Sequence, residues 1–143
     1  MSKAYFPDYE DLAWWVNYVK GSSSVLKLSL PITNAAWYDR TLGVIELLRL
    51  PYYGNDLHML AARLFYKVVK DHNYSDGNKR SAIVAVYVFL LLNDYSISPS
   101  LDIRKLAKNT AKTKGSKGEE RCTRKIYAAL LKHSEPLADI EQS

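Results

Sequence analysis

Apolar residues recur at helical spacing along most of this chain. Leu12, Trp15, Val16 and Val19 share one face of a helix predicted from about Tyr9 to Lys20, with Asp8 as its N-cap and Glu10 and Asp11 in its first turn. Gly21 and the serines after it stop that helix. Val25 to Leu30 partly alternates and reads as a short strand ended by Pro31. A second helix is expected from after Asn34 to about Leu48. A turn, Leu50-Pro51-Tyr52-Tyr53-Gly54, follows it. A third helix, capped by Asn55 or Asp56, runs to about Lys70 with Leu57, Leu60, Ala61, Leu64, Phe65 and Val68 on one face.

From Asn78 to Leu92 the chain is apolar on all sides after its first turn. Ile83, Val84, Val86 and Val88 would also suit a buried strand, but fifteen residues is longer than strands usually run. The segment therefore reads as a helix at the centre of a bundle. Pro99 and Ser100 open a helix to about Thr113. After a break at Gly115–Gly118 a last helix runs from about Glu119 to His133. Six helices with short connections predict an all-α single domain over residues 1–143.

Composition narrows the classes. With 48% apolar and 24% charged residues the chain is expected to fold around one core. Its opening residues lack the pattern of a signal peptide. The longest unbroken apolar stretch, Ala82 to Leu92, is too short to span a bilayer, so a cytoplasmic protein with no membrane partner is expected. Cys122 is a single cysteine, expected to be a packing residue, and excludes an internal disulfide. The net charge of +5 is uneven. Residues 102–133 carry ten Lys/Arg against three Asp/Glu, a net of +7, whereas the acidic tail, residues 134–143, carries a net of −3. Such a basic segment is either a solvated lysine-rich face or a surface for phosphates, nucleic acid or an acidic protein.

The candidate chemistry lies in one run, His72-Asn73-Tyr74-Ser75-Asp76-Gly77-Asn78-Lys79-Arg80-Ser81, which opens the central helix. A helix N-terminus presents unpaired N–H groups and the positive end of the dipole to an anion. Gly77 lets the backbone approach a ligand closely. Lys79 and Arg80 add full charges, and Arg can hold a phosphate through two parallel hydrogen bonds. Asp76 offers a hard oxygen for a magnesium ion carried by substrate phosphates. His72 titrates in the range that suits proton abstraction. Singly, a histidine at a helix end is a cap or surface residue and Asp-Gly is a turn. Together the set fits phosphoryl or nucleotidyl transfer. Elsewhere, His58 reads as a surface residue, His133 as a dipole-favoured residue in the last helical turn, and Trp14, Trp15 and Trp37 as core or interface anchors.

The run from His72 to Arg80 resembles the signature of the Fic/Doc family, His-x-Phe-x-Asp-Gly-Asn followed by Gly-Arg or Lys-Arg, with Tyr74 in place of Phe. The likeness extends to Gly43–Gly54 and to the helices after Asn93, but residues 1–33 match poorly. It implies a Fic/Doc-like helical bundle with a short flap or hairpin before the motif loop. By the same resemblance His72 would be the base, Asp76 the metal ligand, and Gly77, Asn78, Lys79 and Arg80 the phosphate binders. Tyr74 would anchor the loop, and Leu50, Pro51, Tyr52, Tyr53 and Gly54 would form the flap that docks a target's backbone as an added strand.

Members that transfer AMP have Gly where Lys79 stands and a second Arg where Ile83 stands. Lys79 therefore resembles the death-on-curing branch, toxins that phosphorylate protein hydroxyls. The implied activity is a toxin-type kinase using ATP and Mg2+, with a translation factor as the target class. An AMP-transferase on the same fold is the alternative, and a non-catalytic nucleic-acid or partner-binding module the second. Ser116 to Glu120 approaches the family's inhibitory pattern, but Arg121 stands where Gly or Asn is needed. Silencing is thus expected from a separate, small acidic antitoxin.

Overall fold

The computed structural model describes residues 4–14, 35–70 and 77–137. The described chain is all-α with one small sheet. Residues 9–14 are helical (α1), followed by α2 (Ala35–Leu48), a 3-10 turn (Pro51–Tyr53), α3 (Leu57–Val69) and α4 (Gly77–Leu92). Then come β1 (Tyr95–Ile97), α5 (Ile103–Ala111), α6 (Gly115–Lys132) and β2 (Ser134–Pro136). The strand expected over residues 25–30 and the helix beyond residue 14 lie outside the described residues.

Capping explains several helix starts. Asp8 Oδ1 accepts from the Asp11 N–H at 2.9 Å, and Asp11 Oδ2 accepts from the Asp8 N–H at 3.1 Å. This is a reciprocal box in which aspartate takes both places, satisfying two otherwise unpaired donors. Asp11 also accepts the Tyr5 hydroxyl at 3.2 Å, and its negative charge together with that bond raises the Tyr5 pKa above 10.0. Asp56 caps α3 by accepting from Met59 N–H at 3.2 Å, and Asp102 caps α5 by accepting from Lys105 N–H at 3.1 Å.

α4 is the centre. Ala82 to Val86, Val88, Phe89 and Leu90 are all buried, and α2, α3, α5 and β1 pack around them. Helix rather than strand is thus the state of this apolar run, because neighbours cover it on every side. α3 contributes Leu60, Ala61, Leu64, Phe65 and Val68 as expected, and also Ala62, Tyr66 and Val69. Its buried face is wide because α4 and α6 both pack on it. The N-terminal residues join the same core. Asn93 Oδ1 accepts from Tyr5 N–H at 2.6 Å and its Nδ2 donates to Tyr5 O at 2.8 Å. This clasp lays Phe6 against Phe89, with centroids 5.8 Å apart, and brings Leu12 fully inside.

Several expectations are corrected or sharpened by the structure. α5 starts at Ile103, because Pro99 and Ser100 lie in a turn and Asp102 supplies the cap. α6 starts at Gly115, whose φ of 75° breaks the chain alone, so Gly118 is helical, and a Cβ there would come within 2.9 Å of Thr113 Cγ2. The acidic tail is in part structured: β2 pairs antiparallel with β1, Ser96 opposite Glu135. His133 follows the last turn of α6, and its Nδ1 lies 2.9 Å from Ser100 Oγ. Trp14 is 59% exposed, so of the two places expected for it, core or interface, it is not in the core. Cys122, by contrast, is a half-buried packing residue as expected, with Sγ 3.7 Å from Thr110 Oγ1.

His58 is not a surface residue. It is 8% exposed, its Nε2 lies 2.8 Å from Ser134 Oγ, and its ring meets Tyr95 edge to face with centroids 4.8 Å apart. It pins the sheet to the start of α3. Burial lowers its pKa below 6.5. The unfolded chain therefore binds a proton more readily than the native one in that window. The stability His58 contributes is fully present above about pH 6.5 and is lost as pH falls through the lower native pKa. Urea titrations from pH 7.5 down to 5 are expected to show a fall in stability that His58→Gln reduces. An equal fall in both proteins would remove His58 from the account.

Candidate functional site

α4 begins at Gly77, immediately after the histidine and aspartate of the motif in sequence. The backbone of Gly77, Asn78, Lys79 and Arg80 forms its first turn, and the Lys79 side chain is half-buried. The leading N–H groups of a helix have no intrahelical acceptor. Sixteen residues of aligned peptide dipoles stand behind them. What this turn can do chemically is hold an anion. His72, Tyr74 and Asp76 lie outside the described residues, so their placement relative to this turn is not part of the geometry. Among the described residues, no cluster of three or more His, Cys, Asp or Glu is arranged to hold a metal.

The chain on either side of the motif is held firmly. Lys70, the residue after α3, donates from Nζ to Ala111 O at 3.2 Å and to Thr113 O at 2.6 Å. An ammonium at the C-terminal end of α5 meets both unpaired carbonyls and the negative end of the dipole. This contact ties the entry of the motif to the α5–α6 connection, and no sequence pattern announces it. On the exit side, Ser81 and Ala82 are buried as α4 enters the core.

The Leu50–Gly54 segment precedes α3. It is a 3-10 turn and not a hairpin, because Tyr53 N–H bonds Leu50 O and Gly54 N–H bonds Pro51 O, both at 3.0 Å. Gly54 has φ of 72°, a left-handed value that suits glycine. Leu50 and Tyr52 project outward, Tyr52 at 87% exposure, while Tyr53 is half-buried. The turn is braced from below. Asp56 Oδ2 accepts the Tyr127 hydroxyl at 2.9 Å, joining the flap's base to α6. That bond raises the Tyr127 pKa above 10.0, helped by burial and by the Asp56 charge.

Against models of known families, the match begins just inside α2, passes through the flap turn, α3 and the motif, and ends inside α4. Residues 36–90 match the Fic/DOC family. No curated protein and no solved structure matches the chain. The Fic/DOC match contains every candidate site residue, whereas α5, α6 and the sheet lie beyond it. No helix among the described residues is long and apolar enough to cross a membrane.

Outside the match, α5 and α6 carry the positive charge. Arg104, Lys105, Lys108 and Lys112 on or beside α5, and Lys117, Arg121, Arg124, Lys125 and Lys132 on α6, are exposed. Of these, Arg124 pairs with Glu120 at 2.9 Å. An exposed pair of this kind is worth about 0.3–0.5 kcal/mol and leaves the surface strongly cationic.

Proposed function

We infer that this Fic/DOC-type chain is a transferase that moves the γ-phosphate of ATP to a hydroxyl group of a target protein. The observation that carries the reading is the start of α4 at Gly77, which sets a first turn containing Lys79 and Arg80 directly behind the motif's histidine and aspartate in sequence. In this reading the amides of that turn, with Asn78, Lys79 and Arg80, bind the phosphates. Asp76 would hold Mg2+, which neutralises phosphate charge when bound. His72 takes the proton from the target hydroxyl as its oxygen forms a bond to the γ-phosphorus. The bond from that phosphorus to the bridging oxygen breaks, and ADP leaves with the electron pair. Tyr74 anchors the loop, and the flap from Leu50 to Gly54 docks the target.

Lys79 favours phosphate over AMP transfer. In the AMP-transferring pattern a glycine leaves room there for the β-phosphate and a second arginine helps hold the γ-phosphate. Here Lys79 is a half-buried cation, and Ile83 lies 2% exposed within the apolar core, unable to bind an anion. This pattern is that of the death-on-curing branch, so the proposed role is a cytoplasmic toxin acting on a translation factor. The exposed cations of α5 and α6 would receive a small acidic antitoxin. The same surface is the specific feature that keeps a nucleic-acid-binding role in view. Such binding would weaken steeply with rising salt.

Incubation with ATP labelled at the α- or γ-phosphate separates the chemistries. Only the γ-label is expected on the target, and Lys79→Gly is expected to lose most of the transfer. An AMP adduct made by the wild-type chain, read by mass spectrometry, would replace the kinase reading with AMP transfer on the same fold.

A further inference from the structure

Two cations of α3 have no part in the chemistry above. Arg63 and Lys67 lie about one turn apart, and both rest against Tyr53 of the flap. The Arg63 guanidinium carbon is 5.7 Å from the centre of the Tyr53 ring, and Lys67 Nζ is 5.6 Å from it. Such contacts attract weakly, yet a ring face offers no lone pair to an N–H. Arg63 Nε is in fact buried without a hydrogen-bond partner. Leaving a buried donor unmade is costly, and more so on a charged group. The ion pairs formed among the described residues, Arg49 with Glu46 and Arg124 with Glu120, involve neither cation. No acidic residue stands three or four positions from Arg63 on α3. Among the described residues no acidic group pairs with this donor edge, and the Tyr53 ring lies over it.

We propose that Arg63 and Lys67, beneath Tyr53, receive a side-chain carboxylate from the target segment that docks on the flap. The edge formed by Nε and one terminal nitrogen of Arg63 matches a carboxylate, which reaches the buried Nε as the Tyr53 ring swings off it, and Lys67 adds a second charge. That the occupant is a target segment rests on the transferase reading. Arg63 precedes Lys70, the last described residue before the motif, by seven residues, which is about 10 Å along the helix axis. Tyr53, which covers it, belongs to the flap. The 3-10 turn already uses the Tyr53 and Gly54 N–H groups, and Pro51 has none to give. With those donors taken, the flap offers side chains for recognition: the cation pair for one acidic residue, and exposed Leu50 and Tyr52 for its apolar neighbours.

The test uses the full chain, labelled with 15N and free of nucleotide, so that its outcome does not depend on catalysis. The probes are an end-capped tetraglutamate peptide and its tetraglutamine counterpart. The Arg63 Nε–H resonance, assigned by its loss in Arg63→Gln, is expected to shift saturably with tetraglutamate and not with tetraglutamine. Lys67→Gln, which leaves that resonance in place, is expected to weaken the peptide on the order of tenfold, the loss of one charge-assisted contact. No saturable shift, or an equal shift with tetraglutamine, overturns the site. ATP producing the same shift and displacing the peptide overturns the carboxylate assignment in favour of a phosphate. Absence of phosphate transfer alongside a normal peptide titration would count against the transferase reading and leave the anion site standing.

Discussion

Replacing His72 with alanine is expected to slow transfer to the target by about 10²–10⁴-fold, the usual cost of removing a positioned base. Nucleotide binding is expected to persist, because the proposed phosphate contacts come from the first turn of α4 and not from the histidine. The same split applies in cells: at equal expression, a toxic wild type and a harmless His72→Ala are expected. The decisive comparison is single-turnover transfer of γ-labelled phosphate by the two proteins, with ATP binding measured on both. A variant that transfers at the wild-type rate would end His72's assignment as the base. Loss of ATP binding together with loss of transfer would make it a ligand-binding residue instead.

Phe89→Ala is expected to bring the largest loss of stability, about 3–5 kcal/mol. Phe89 is 1% exposed on the central helix and touches Phe6 from the N-terminal clasp. Its carbonyl also accepts from Asn93 Nδ2 at 2.7 Å, so the clasp and the ring act on one turn of α4. Since a domain of this size is stable by only about 5–15 kcal/mol, the cavity would consume a large share of the total. Urea unfolding followed by circular dichroism gives the figure directly. A loss below about 1 kcal/mol would mean that Phe6 and its neighbours close the gap, in which case the site is softer than the packing indicates.

Helices whose starts are written in short polar signals were legible in the sequence. Asp8 and Asp56 place the starts of α1 and α3 within a residue or two, and the length of the run after Asn78 decides helix over strand for α4. The sheet was not legible. β1 and β2 are three residues each, and Tyr95 finds its partner at Pro136, so nothing local marks either strand. His58 hides for a related reason: its acceptor is Ser134, 76 positions away. A signal existed even so, because Ala61, Ala62 and Phe65 share the helix face on which His58 stands. At the candidate site, the motif and the helix it opens are local and readable. The Lys70 contact with the end of α5 and the Arg63–Lys67 pair under Tyr53 depend on how elements meet, which spacing along one element does not reveal.

The clasp between Tyr5 and Asn93 and the bond between His58 and Ser134 span 88 and 76 positions. During synthesis the chain emerges at about 5–20 residues per second, so α3 and α4 are made seconds before the last of these partners exists. Through that interval the α6 face of α3 stays uncovered, and closing such long loops comes late because their entropy is spent before any contact returns it. A ribosome stalled inside α6 would therefore hold a motif that is complete in sequence on a helix pair still open to water. Any activity that depends on the finished fold would begin only after residue 136 is in place.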